Sequence, residues 1–137
     1  MSSSAIAFRD ALCDRDFDAV RALLADHVEM RGLLPSRTIE AAGPDDILGW
    51  FTKWFATGPG FEVLGRGAGT TAGRNRVTWR FRFSAHPVMA EPGVHEIEQT
   101  AYVDESGGRI TRIDLLCSGF RPVSAIDAPQ FCSVPVR

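Results

Sequence analysis

Two side chains able to handle protons and polar atoms share one face of one predicted strand. In Val94-His95-Glu96-Ile97-Glu98-Gln99, His95 and Gln99 flank Ile97 at a spacing of two residues on either side. Side chains alternate along an extended chain, so His95, Ile97 and Gln99 point one way and Glu96 and Glu98 the other. An imidazole gives and takes protons near neutral pH, and an amide N–H beside it can hold a carbonyl oxygen as charge develops there. The matching chemistry is proton abstraction next to a carbonyl. The same residues admit a purely structural reading. In it His95 sits half solvated at the strand's mouth and Gln99 satisfies a buried backbone group.

Other chemistries lack their residue patterns. His27, His86 and His95 lie on three different elements without H-x-H or H-x-x-x-H spacing, so no metal is expected, and no cofactor. Cys13, Cys117 and Cys132 are an odd number without a C-x-x-C pair, which fits neither a disulfide framework nor a closed zinc site. Cys117 falls on an inward face without a neighbouring His or helix N-terminus, and reads as a small core residue. Gly65, Gly67 and Gly69 alternate through a strand end, which permits curvature and does not form a dinucleotide fingerprint. His27, His86 and Glu40 read as exposed residues at loop edges. The net charge is −2, and the only lysine is Lys53, so nucleic acid is not an expected partner. No run of about eighteen apolar residues and no basic leader with an apolar stretch occurs, which predicts a protein of the reducing cytoplasm without membrane contact.

The elements that must position these residues follow from periodicity. Ala5, Phe8, Leu12 and Cys13 repeat at helical spacing up to Asp14-Arg15-Asp16, and Asp16 is placed to cap a second helix carrying Phe17, Val20, Leu23 and Leu24. His27 to Gly32 alternates as a strand with Val28 and Met30 inward. Leu33 to Ala42 has no clean period, with one short strand expected around Thr38 to Glu40. Gly43-Pro44-Asp45-Asp46 opens a third helix, in which Ile47, Trp50, Phe51, Trp54 and Phe55 form an aromatic stripe that stops at Gly58-Pro59-Gly60. Four strands follow, over Phe61–Ala68, Asn75–His86, Val94–Asp104 and Arg109–Phe120, joined by turn-rich connections that imply antiparallel pairing. The order predicts an α+β fold: a cone-shaped, curved antiparallel sheet wrapped around three N-terminal helices, in one domain over residues 1–122, with 123–137 an irregular tail.

Alternation also sorts the strand faces. Trp79, Phe81 and Phe83 share the inner side with Ile97, Leu115 and Cys117, while Arg80, Arg82, Glu96, Glu98, Arg112 and Asp114 share the outer side. Cross-strand charges of that kind suit a solvated or subunit-facing surface. Phe8, Leu12 and Met30, with Trp50, Phe51 and Trp54, face the same interior. Most of these rings fill a core, and a cone open at one end leaves a largely apolar pocket for a small hydrophobic molecule.

The chain resembles the nuclear-transport-factor-two-like superfamily, and within it the SnoaL-like polyketide cyclases and ketosteroid isomerases. The resemblance runs from about Ala7 to Pro122. It rests on Phe8-Arg9-Asp10-Ala11-Leu12 with Asp16-Phe17-Asp18, on the Gly43–Phe55 helix, and on Gly108-Arg109-Ile110-Thr111-Arg112-Ile113. It implies a cystatin-like α+β barrel, pairing of copies through the outer sheet face, and cofactor-independent cyclase, isomerase or dehydratase chemistry on a polyketide-like or steroid-like carbonyl compound. It equally covers noncatalytic binders and interaction modules. The isomerase pattern wants an Asp base where Met30 stands, a phenol where Phe8 stands and an acid where Gln99 stands; of these only Gln99 can donate a hydrogen bond. The epoxide hydrolase pattern wants charged residues near Phe81, Phe83 and Leu115, and they are missing. In the cyclases a last-strand Asp is the acid/base, which makes Asp114 a third catalytic candidate. Parity turns it outward unless a bulge intervenes, and Ile110 and Ile113 on opposite parities hint at one.

Overall fold

The computed structural model describes residues 3–84 and 93–123. Its first helix, α1 (Ser3–Cys13), buries Ala5, Phe8 and Leu12 on one side. The chain leaves it through Arg15, whose φ is 54°, and Asp16 caps α2 (Phe17–Leu23) by accepting the Ala19 backbone N–H at 3.1 Å. β1 (Leu24–Leu33) follows directly, with Val28 and Met30 buried against exposed Glu29 and Arg31. The strand is longer than the alternation alone predicts, because the helix ends at Leu23 and the strand starts at Leu24, three residues before His27. In the segment without a clean period, Leu34 N–H donates to Arg37 C=O at 2.8 Å. That turn starts β2 (Thr38–Ala42), which pairs antiparallel with β1.

α3 (Pro44–Phe55) begins with the Pro and the two acids that its sequence places there. The Asp46 carboxylate accepts the Ala42 N–H at 3.1 Å, fastening the helix start to the end of β2. Ile47, Phe51, Trp54 and Phe55 are buried. Trp50 is half-buried on the flank, with Arg37 and Lys53 cations 5.3 and 5.4 Å from its ring.

The remaining strands are β3 (Glu62–Thr71), β4 (Arg74–Phe83), β5 (His95–Ser106), β6 (Arg109–Cys117) and a two-residue β7 (Arg121–Pro122). The sheet of seven strands has the order β2-β1-β6-β5-β4-β3 with β7 added beside β5. It is open, with β2 and β3 at its edges. β3 to β6 pair antiparallel as expected, and β1 joins β6 in parallel, bringing the two halves of the chain together. β7 is an element that periodicity does not reveal, since two residues have no period. It forms because Gly119, at φ 73°, turns the chain back; a Cβ there would lie 2.8 Å from Pro35 Cγ.

The hinted bulge exists. Asp104 pairs with Arg112 and Glu105 with Ile110, so Thr111 is skipped and both Ile110 and Ile113 become fully buried. Because the bulge precedes Ile113, it leaves the parity of Asp114 unchanged. The core lies between this sheet and the helices. Phe8 meets Phe51 and Trp79 edge-on at 5.8 and 5.9 Å, and Phe55 packs on Phe81 and Phe83 at 5.0 and 6.4 Å.

Candidate functional site

His95 opens β5 opposite Phe83 on β4 and Pro122 on β7, and only 3% of its surface is exposed. The ring is therefore buried and not half solvated. Its Nδ1 lies 3.0 Å from the Gly93 carbonyl oxygen. A carbonyl can only accept, so in the neutral ring Nδ1 carries the proton and Nε2 presents the lone pair.

Gln99 is completely buried. Its Oε1 accepts the indole N–H of Trp79 at 3.0 Å, and its Nε2 donates to Cys117 Sγ at 3.2 Å. The same sulfur accepts the Gly119 backbone N–H at 3.3 Å. Gln99 is thus tied to side chains and not to the backbone. Periodicity hides the indole as a polar group, because Trp79 reads first as a core ring. Its register gave the signal, for Trp79 stands directly across from Gln99. Ile97, buried, separates His95 from Gln99 on their shared face.

The side chains expected to wall a pocket pack into the hydrophobic core. Phe8, Leu12, Met30, Phe51, Trp54, Trp79, Phe81, Phe83, Ile97 and Leu115 are buried. Cys117 and Trp50 are half-buried at the margin. Met30, where the isomerase pattern wants its base, packs inward without a polar atom.

Asp114 is brought elsewhere. Its carboxylate lies on the outer face, 2.9 Å from Arg112 and 2.9 Å from Arg74, which also holds Asp104. Burial pushes the Asp114 carboxyl up, but hydrogen bonds and charge from Arg112 and Arg74 outweigh it and hold the group below the usual carboxylate range. Asp10, burdened by partial burial and bonded to Arg9 and Arg66, is lowered in the same way. A carboxyl lowered by folding stabilises the fold above its ordinary range, and that stability disappears as pH falls through the folded value. Asp114→Asn is therefore expected to weaken the protein at pH 7, with the difference from the natural protein shrinking as the carboxyl protonates in acid, read from urea midpoints. The site is about one-third exposed, so the difference is modest.

Outside the core, a cleft of about 290 Å³ between β1, β2 and the start of α3 is lined by Glu29, Arg31, Glu40, Asp46 and Arg112. Glu40 therefore faces this outer cleft and not the interior. A second groove, of about 390 Å³, runs past Leu33, Pro35, Glu98, Leu116 and Cys117. His27 is exposed. His86, Cys132, most of the Pro87–Gly93 connection and the tail from residue 124 lie outside the described residues. Among the described residues no three His, Cys, Asp or Glu side chains gather as metal ligands, and no helix is long and apolar enough to cross a membrane.

Solved structures share this fold at low identity. A candidate polyketide cyclase from Xanthomonas campestris is 15% identical, with 82% of this chain and 86% of that chain covered at a TM-score of 0.62. A candidate ketosteroid isomerase from Kribbella flavida is 16% identical over 90% and 82%, with a TM-score of 0.60. A cystatin fold protein from Novosphingobium aromaticivorans is 15% identical over 84% and 97%, with a TM-score of 0.62. At such identities these likenesses establish the architecture alone. No curated protein matches the sequence. The family model for the SnoaL-like domain matches residues 5–113, which spans both helices of the hairpin, α3 and the sheet through the bulge of β6. The chain belongs to the SnoaL-like domain family.

Proposed function

We propose that this chain performs cofactor-independent acid–base chemistry of the cyclase, isomerase or dehydratase type on a small, flat, hydrophobic carbonyl compound held against the aromatic interior. The observation that carries this reading is His95, a buried imidazole whose Nδ1 is committed to a backbone carbonyl, so that Nε2 is the proton-accepting atom. Gln99 supplies the hydrogen-bond donor for the carbonyl oxygen. Asp114 has no role in this reading, because its carboxylate is held by two arginines on the other side of the sheet.

The test is a thermal-shift screen over aromatic polyketides, steroids and small enones, followed by incubation of each hit and product analysis. A ligand that binds only the folded state raises the melting temperature. His95→Ala is expected to abolish turnover of a hit while leaving its thermal shift. Hits that bind and come back unchanged sink the catalytic reading and favour a carrier. That second reading has its own support: Met30 stands where the isomerase pattern wants its base, and both ends of the Gln99 amide are already bonded within the protein.

We further propose that two copies pair through the outer sheet face. Leu33 and Leu116, each 44% exposed, are direct neighbours across β1 and β6 and form an apolar ridge there. Sedimentation of the natural chain and of Leu116→Glu reads this directly. A monomer at tens of micromolar for the natural chain removes the pairing proposal and leaves the interior site untouched.

A further inference from the structure

The strand registers lay an uncharged row across the outer face of the sheet. Leu33 pairs with Leu116, Leu116 with Thr100, Thr100 with Thr78, and Thr78 with Gly67, so the row crosses β1, β6, β5, β4 and β3. Its height falls along the way. Leu33 and Leu116 are each 44% exposed, and the two threonines are half-buried. Gly67 is bare backbone, so close to its neighbour that a Cβ there would stand 2.8 Å from Thr78 Oγ1. A hollow of about 230 Å³, bordered by Gly65, Thr78, Arg80 and Glu98, opens at this low end. The face thus carries a ridge on one side of β5 and a trough on the other.

Charged rows flank it. Arg31, Asp114, Tyr102, Arg76 and Gly69 stand in register on one side. Ser118, Glu98, Arg80 and Gly65 line up on the other, where the Ser118 N–H donates to Glu98 C=O at 3.0 Å. Arg74 and Arg82, toward the two ends of β4, hold acids of their own chain. Arg76 and Arg80 between them form no ion pair among the described residues.

Sheets packed face to face keep their strands within about 30° of each other, and a two-fold pair can do so in two ways. An axis along the rows sets leucines on leucines, props the threonine ends apart and brings Arg76 against the partner's Arg80. An axis along β5 sets ridge in trough and brings Asp114 against the partner's Arg76. Only Glu98 then meets its own copy, and each Glu98 has Arg80 in register beside it. Like charges held face to face weaken association, and opposite charges set the register. We infer that the outer face takes a second copy of this chain about an axis along β5, with Leu33 and Leu116 of one copy seated on Thr78 and Gly67 of the other. This geometry rests on the pairing proposed above.

The test is Arg76→Glu, which breaks no ion pair within the chain, with the dimer dissociation constant read by sedimentation equilibrium. With the axis along β5, the new carboxylate faces the partner's Asp114, and the constant is expected to rise by about tenfold. With the axis along the rows, it faces the partner's Arg80 and the constant falls. A constant unchanged or lowered therefore overturns the geometry and leaves the pairing standing. A natural chain that sediments as a monomer at tens of micromolar removes both. If Arg76→Glu does not fold, the natural dimer decides by NMR in an equal mixture of ¹³C-labelled and unlabelled chains. Cross-relaxation between the Leu116 methyls of one copy and the Thr78 methyl of the other supports the axis along β5. Cross-relaxation between the Leu116 methyls of the two copies overturns it.

Discussion

Phe55→Ala is expected to cost about 3–5 kcal/mol of folding stability, enough to consume a large part of a typical domain's 5–15 kcal/mol. Phe55 is fully buried where the end of α3 meets the sheet. Its ring stacks at 6.3 Å on Phe51 and at 6.4 Å on Phe83, and meets Phe81 edge-on at 5.0 Å. Removing it takes away the transfer term of a whole aromatic ring and leaves a void. The void cannot collapse, because its walls belong to a helix and to two positions of one strand. Urea denaturation should show a lower midpoint with an unchanged slope. Trp50→Ala is the control on the same helix: that ring is half-buried on the flank, and its loss should move the midpoint much less. A Phe55→Ala midpoint within error of the natural protein would mean that the aromatic interior is not the cooperative core described above.

The second large effect is expected at Gly60. Its φ is +68°, and a Cβ built there would stand 1.7 Å from Ser84 Oγ and 2.6 Å from Ser84 Cβ. The hydroxyl can rotate away; the Cβ cannot move without its backbone. That backbone is fixed by Ser84 N–H donating to Pro59 C=O at 2.9 Å. Gly60→Ala therefore combines a left-handed conformation, about 1–2 kcal/mol, with loss of that hydrogen bond, about 0.5–1.5 kcal/mol. Gly73→Ala isolates the first contribution, since Gly73 has φ +80° and nothing within 4 Å of its Cβ position. Thermal melts of the two variants side by side should place Gly60→Ala lower. Equal losses would show that Ser84 yields freely.

Much of the architecture was legible because periodicity is a property of neighbouring residues. The α3 stripe, the Asp16 cap, the inner faces of β4 and β5, and even the bulge between Ile110 and Ile113 are local patterns. What escaped depends on distance in sequence. β7 comes from a chain reversal at Gly119, whose need for glycine lies in Pro35 on another loop. The β1–β6 pairing is invisible to alternation, which fixes faces but not neighbours. For the site, parity placed His95 and Gln99 inside and Asp114 outside, as observed. The partners of Gln99 are not legible in the sequence, because Trp79 and Cys117 read as volume. Their polar atoms matter only once register puts them beside the amide.

The parallel pairing of β1 with β6 also bears on how this protein is made. Leu24 finds its partner only at Ile110, and Ser4 on α1 donates to the carbonyl of Gly108 at 2.9 Å. Translation proceeds at about 5–20 residues per second. For several seconds a nascent chain therefore presents Phe8, Val28 and Met30 without the strand that covers them. Helix-first, vectorial folding can make the hairpin and α3 but cannot close the sheet. Completion waits for β6, and fragments that stop short of it are natural clients of holding chaperones.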